Sequence, residues 1–142
     1  MYNETIIYYS KSPVNKGKLD NYDIEFWEEN RTCWDDLKVY LKIEKVGNAG
    51  LHSLQDTIAD WSFEWDTAII TTACASVFGE SIVWMKLEEI LSKDYWYIME
   101  LIESEVSERR RNASVLWLLT TRNAIHKYLN DGIVDSFDDV IK

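Results

Sequence analysis

From Leu37 to Ile43 apolar and polar residues alternate without a break: Leu37, Val39, Leu41 and Ile43 against Lys38, Tyr40 and Lys42. A helix repeats every 3.6 residues and a strand every two, so only an extended segment puts those four on one side. The spacing predicts a half-buried β-strand over about 36–46, one face on a core and the other wet. Cys33, Asp35 and Asp36 stand at its mouth, where a rigid sheet would hold them at its edge. Thiolate plus carboxylate begins a metal or sulfur site, and two ligands do not complete one.

A single strand cannot bury its face alone, and the flanking sequence supplies companions. Residues 2 to about 11 read as a short helix broken by Ser12-Pro13, and 13–20 as loop by its proline and glycine. Ile24 and Phe26 suggest a first strand reaching toward Thr32. Gly47-Asn-Ala-Gly50 reads as a hairpin connection, and Leu51 to Trp65 as a returning third strand in which Asp56 and Asp60 interrupt the alternation.

The period then changes. Ala68 to Phe78 is small and apolar, suited to a closely packed helix that Gly79 stops. Ser81 is placed to cap a next helix carrying Ile82, Met85, Leu87 and Ile90, and Asp94 a further one, where Trp96, Ile98, Met99, Leu101 and Ile102 pack. A last helix runs from about Arg109 to Leu129, Gly132 ends it, and 133–142 reads as a short acidic tail. The expected architecture is α+β: an N-terminal helix, a small three-stranded antiparallel sheet, then a helical half packed on it, in one domain spanning 1–142.

Composition narrows function. With 46% hydrophobic and 13% aromatic residues the chain has the means to build a core. A net charge of −10 argues against phosphate-backbone binding, and Arg109-Arg110-Arg111 is too short a basic cluster to reverse that. No apolar run approaches a membrane span and no signal-peptide pattern opens the chain. Two cysteines make no disulfide framework, so a reducing cytoplasm is the expected setting.

With these landmarks placed, the chain resembles the iron–sulfur cluster assembly scaffold family, the NifU N-terminal/IscU/SufU group, over nearly its whole length. Tyr9-Ser-Lys-Ser-Pro-Val-Asn-Lys-Gly-Lys-Leu-Asp20 resembles the family's opening segment, a tyrosine followed by Pro-x-Asn-x-Gly-x-Leu. Cys33-Trp34-Asp35 stands where the family has a Cys-Gly-Asp ligand motif. Phe63-Glu-Trp-Asp-Thr-Ala-Ile-Ile-Thr-Thr-Ala-Cys-Ala-Ser76 resembles the segment holding its second cysteine, and Arg110-Arg-Asn-Ala-Ser-Val-Leu116 the start of its last helix, with the third.

The resemblance implies a site for zinc or an iron–sulfur cluster, held by three cysteines and an aspartate, and a cysteine desulfurase as partner. By that alignment the metal ligands here are Cys33 and Asp35, while Ala68 and Ala113 occupy the other two positions. Trp34, Trp65 and Thr67 replace glycines. Alanine offers no lone pair and a structural tetrahedral site needs four ligands, so the alternative is that no metal is held. Cys74 lies six residues past Ala68, about 9 Å along a helix, and reads as a small core residue.

His52 and His126 read as structural or solvated. Glu100, Glu103, Glu105 and Glu108 have the spacing of a wet helix face. No P-loop, Gly-x-Ser-x-Gly or dinucleotide fingerprint is present. Two functional readings follow. The chain is a scaffold or sulfur acceptor, not an enzyme in its own right, with Cys33 receiving sulfur from a desulfurase. Or it is an adaptor that keeps the fold and the docking surface without metal chemistry.

Overall fold

The computed structural model describes residues 3–30, 35–47, 51–64, 67–103 and 106–141. Its elements run α1 (Glu4–Lys11), β1 (Ile24–Asn30), β2 (Asp35–Glu44), β3 (Thr57–Glu64), α2 (Ile69–Ile82), α3 (Leu87–Leu91), α4 (Tyr95–Ile102), α5 (Arg111–Leu129) and α6 (Phe137–Ile141). A one-turn 3-10 helix, Glu108–Arg110, leads into α5. The sheet is antiparallel in the order β1-β2-β3. This is the α+β arrangement that the residue pattern predicts.

The apolar face of β2 is buried as its period requires, but the opposite face is not wet throughout: Tyr40 is buried there, against the Tyr22 ring and with its hydroxyl donating to Glu64. Leu37, Val39, Leu41 and Ile43 are buried under α2 and α5 with Trp61, Phe63, Phe78 and Trp117. The indole N–H of Trp61 donates to Thr121 Oγ1 at 3.0 Å, so that the core's polar edge has its partner. Asn3 caps α1, its Oδ1 accepting from the Ile6 N–H, while its amide donates to the Ile102 carbonyl at the end of α4.

β3 is shorter than its residues suggest, for two reasons. A register shift between Lys42 and Ile43 leaves Ala59 as an extra residue, so Ile58 and Trp61 face the core from non-alternating positions. Upstream, Asp56 is buried and accepts from the Val46 N–H, the Ser53 N–H and the Tyr128 hydroxyl, folding 51–56 into a turn, not a strand. Segment 13–17 then covers the outer edge of β3: the Phe63 N–H donates to the Asn15 carbonyl and the Gly17 N–H to the Phe63 carbonyl. Gly17 sits at φ +128°, open only to glycine without strain.

Several helix boundaries differ from expectation. Gly79 does not stop α2, which continues to Ile82. A Cβ at Gly79 would lie 2.6 Å from Asn15 Nδ2 and 2.7 Å from the Trp61 ring, so the glycine marks close packing. Ser81 caps nothing; it is inside α2, donating to the Phe78 carbonyl and accepting from Tyr97. Asp94 does cap α4, accepting from Trp96 N and Tyr97 N, but the inward residues are Tyr95, Ile98, Met99 and Ile102, with Trp96 turned outward. Asn130, in the left-handed conformation, ends α5 before Gly132 is reached. The acidic tail contains α6, whose Val140 is fully buried.

Candidate functional site

Three elements meet at one end of the sheet: the first residue of β2, the start of α2 and the first turn of α5. Asp35 is 1% exposed, and both its carboxylate oxygens are engaged. Oδ1 accepts from the Ala68 N–H at 2.6 Å and Oδ2 from the Thr71 hydroxyl at 2.6 Å. The same hydroxyl oxygen lies 3.2 Å from the Ala113 carbonyl oxygen. Ala68 is the N-cap of α2 and has no side chain that can cap it, so Asp35 reaches over from β2 and supplies a negative charge at the helix's positive end.

Three of the positions that the resemblance marks as ligands therefore converge in space, from three separate elements, and two of them are alanine. Cys33, the fourth, lies outside the described residues, as do Trp34 and Trp65. Among the described residues no three of His, Cys, Asp and Glu gather as a metal site would need. Among the described residues the donor set does not fit a tetrahedral zinc or a cluster, because Ala68 and Ala113 bring no lone pair and Asp35 alone of these three positions carries a ligand-type side chain.

Asn30, the last residue of β1, pairs directly with Asp35 across the β1–β2 ladder. It is 1% exposed, and neither its Oδ1 nor its Nδ2 has a hydrogen-bond partner. Sequence reasoning missed both Asn30 and Thr71. Thr71 is 36 residues from Asp35 and 42 from Ala113, so no local spacing could have shown it.

The other candidates fall elsewhere. Cys74 is fully buried in α2, and burial pushes its thiol up to about 12, which makes it inert at neutral pH. His52 stacks on the Tyr128 ring at 3.9 Å with Nδ1 2.6 Å from the Tyr128 carbonyl oxygen. His126 is buried between Asp131 and Asp135, at 2.8 and 3.0 Å, and Arg122 also donates to Asp135. These contacts fasten the C-terminal segment to α5. Arg111 lies over the Tyr95 ring at 5.1 Å, which accounts for a cation at a helix start where the dipole opposes it. A shallow groove of about 370 Å³ lies along β1 beside Trp27 and Lys127. Lys127 is roughly 21 Å along α5 from Ala113, so this groove is no part of the Asp35 site.

The sequence profile described as NifU-like N terminal domain matches residues 1–133. The chain belongs to that family. Among relatives of this NifU-like chain, the iron–sulfur cluster assembly scaffold protein IscU of Thermotoga maritima is 33% identical over 92 residues. The match takes in 65% of this chain and 58% of that protein. Two solved structures share the fold. A NifU-like protein (N-terminal) from Brucella abortus superposes with a TM-score of 0.67 at 16% identity, over 92% of this chain and 95% of the other. A protein of Fervidobacterium islandicum assigned as an iron–sulfur cluster assembly scaffold for the SUF system gives 0.68 at 21%, over 87% and 96%. Among the described residues, no helix of this NifU-like chain is long and apolar enough to cross a membrane.

Proposed function

We propose that this chain is a sulfur-handling member of the iron–sulfur assembly scaffold family that works with a cysteine desulfurase in the cytoplasm and keeps no resident metal of its own. The observation that carries this reading is the Asp35 knot. Three of the ligand positions still converge, but there the Asp35 carboxylate, the Ala68 N–H and the Ala113 carbonyl, joined by the Thr71 hydroxyl, tie β2, α2 and α5 together. With Cys74 sealed in the core, Cys33 is the thiol left to take part in chemistry.

The step is a sulfane transfer. The Cys33 thiolate attacks the terminal sulfur of a persulfide on the desulfurase, and a new S–S bond forms as the old one breaks. The desulfurase cysteine leaves as a thiolate, so the sulfur count balances and no outside oxidant is needed. This makes the chain an acceptor, with the desulfurase as the enzyme. With Ala68 and Ala113 beside it, the part of Asp35 in this reading is to hold the helix start.

The test is to incubate the protein with a cysteine desulfurase and cysteine and to read the mass of the Cys33 peptide. Gain of one sulfur, absent in Cys33→Ser, supports the acceptor reading. The adaptor reading is favoured if Cys33→Ser binds the desulfurase and alters its turnover as the wild type does, with no sulfur on either protein.

A further inference from the structure

The two edges of the sheet are treated differently. Along the outer side of β3, Phe63 is met by Asn15 and Gly17, and Ile58 by the segment after α2: its N–H donates to the Met85 carbonyl and its carbonyl accepts from the Trp84 N–H. β1 forms the opposite edge, and among the described residues no strand lies beyond it. In an antiparallel pair, residues that bond the neighbour alternate with residues that face away. The Ile43 N–H turns toward the β1 side, where it donates to Asp23 Oδ2, so the odd-numbered residues of β2 bond β1. Their partners are Ile24, Phe26, Glu28 and Asn30, which leaves Glu25 and Trp27 with N–H and C=O directed outward. Lys127 marks that direction, its Nζ lying 3.4 Å from the Glu25 carbonyl oxygen. An edge of this kind is a template for a further strand.

The side chains around the edge say what would fit it. Its solvent face reads Glu25, Trp27, Glu29, with Trp27 more than half exposed. Toward α5, the groove beside Trp27 continues past Phe26 and Lys127 into a second one of about 210 Å³, walled by Ile133 and Val134, each also more than half exposed. That wall is fixed in place: the Asp135 N–H donates to Asn123 Oδ1 at 2.7 Å, and Asn123 Nδ2 donates to the Asp135 carbonyl at 3.1 Å. A second copy pairing about Trp27 would set Glu25 opposite Glu29 twice, between chains of net charge −10 each, and like charges directly opposite destabilise. We propose that β1 is a docking edge for an extended segment of a partner protein, one with Lys or Arg on either side of an apolar residue on its outer face and apolar residues on the face turned to Phe26, Ile133 and Val134. The cations meet Glu25 and Glu29 across the strands and the apolar residue meets Trp27, while backbone pairing supplies affinity. β2, already paired to the other side of β1, shows the same chemistry in Lys38-Val39-Tyr40-Leu41-Lys42. This docking depends neither on Cys33 nor on a metal.

The probe is the peptide acetyl-Thr-Lys-Val-Tyr-Val-Lys-Thr-amide, a palindrome that fits in either strand direction, titrated into the nitrogen-15-labelled protein and followed by NMR. Its controls are the same peptide N-methylated at tyrosine, which keeps the side chains and loses the central donor, and one with both lysines replaced by glutamate. On the protein, Trp27→Pro removes an outward N–H and leaves the ladder to β2 intact. Amide shifts are expected at 25–29 and 133–134. Binding should weaken about tenfold for the N-methylated peptide and for Trp27→Pro, the equivalent of one backbone hydrogen bond. The glutamate peptide should also bind more weakly, by a margin that closes as salt is raised. If Trp27→Pro does not fold, the N-methylated peptide on wild type gives the same answer.

No shifts on wild type at millimolar peptide, or equal binding of the N-methylated peptide, overturn the proposal. So does a dimer in sedimentation that Trp27→Pro dissociates, since the edge would then belong to a second copy.

Discussion

Replacing Asp35 by alanine removes the tie between β2, α2 and α5 at once. Two hydrogen bonds to a buried carboxylate disappear, each contributing about 1.5–3 kcal/mol, and the Ala68 N–H and the Thr71 hydroxyl lose their acceptor. The hydroxyl recovers part of this by turning to the Ala113 carbonyl oxygen, 3.2 Å away. The net loss expected is about 4 kcal/mol, which for a chain of this length lowers the melting temperature by roughly 12 °C. Asp35→Asn separates charge from shape. Its amide oxygen still accepts from the Ala68 N–H, and its N–H₂ donates to a Thr71 hydroxyl that has turned to Ala113, so the loss is about 1 kcal/mol. Urea melts followed by tryptophan fluorescence, in excess chelator and again with one equivalent of zinc, read both variants. A loss below about 1 kcal/mol for Asp35→Ala would refute the capping argument. So would a zinc-dependent rise in wild-type stability that Asp35→Ala abolishes, since Asp35 would then be a ligand.

Gly79→Ala places a methyl within 2.6 Å of Asn15 Nδ2 and 2.7 Å of the Trp61 ring, and is expected to destabilise by about 1–3 kcal/mol despite alanine's better helix propensity; a circular-dichroism melt decides. In native protein at pH 8, iodoacetamide should modify Cys33 and leave Cys74 untouched, because the Cys74 thiol is fully buried and pushed up to about 12; peptide mass mapping would show a modified Cys74 if that burial is wrong. Asp56 lies below the usual carboxylate range. Burial opposes its charge, but the Val46 and Ser53 N–H groups, the Tyr128 hydroxyl and the Lys45 charge outweigh burial. A folded value below the unfolded one means stability that is present above about pH 4 and lost as pH falls through the folded value. Asp56→Asn should flatten that acid limb in urea melts from pH 5 to 2, and an unchanged slope would assign it to other carboxylates.

What the sequence showed depended on whether the cause was local. The core face of β2 was legible because its burial writes itself into every second residue, and Asp94 was legible because a cap acts within its own first turn; the burial of Tyr40 on the other face was not, since its partners Tyr22 and Glu64 lie on other segments. The start of β3 was not, since Ala59 is an extra residue whose bulge exists only against β2, and Asp56 interrupts the pattern by bonding Tyr128, 72 residues away. Gly79 read as a stop because glycine is a poor helix former; what it serves is the approach of Trp61, which only the packed structure shows. The meeting of Asp35, Ala68 and Ala113 followed from the family resemblance. Their hydrogen bonds through Thr71 did not, because the resemblance pointed to metal ligands, not to the groups that replace them.

The bonding of Asp35 sets a condition on any attempt to turn this protein back into a metal binder. Putting cysteine at positions 68 and 113 supplies thiolates, and a metal that recruits Asp35 takes up a carboxylate already oriented by the Ala68 N–H and the Thr71 hydroxyl. The two substitutions are therefore not independent of position 71. The same pair of cysteines should bind zinc more tightly on the natural background than beside Thr71→Ala, which removes a donor that orients the Asp35 carboxylate. The path between the two kinds of protein bends through a residue that is neither a ligand nor a thiol.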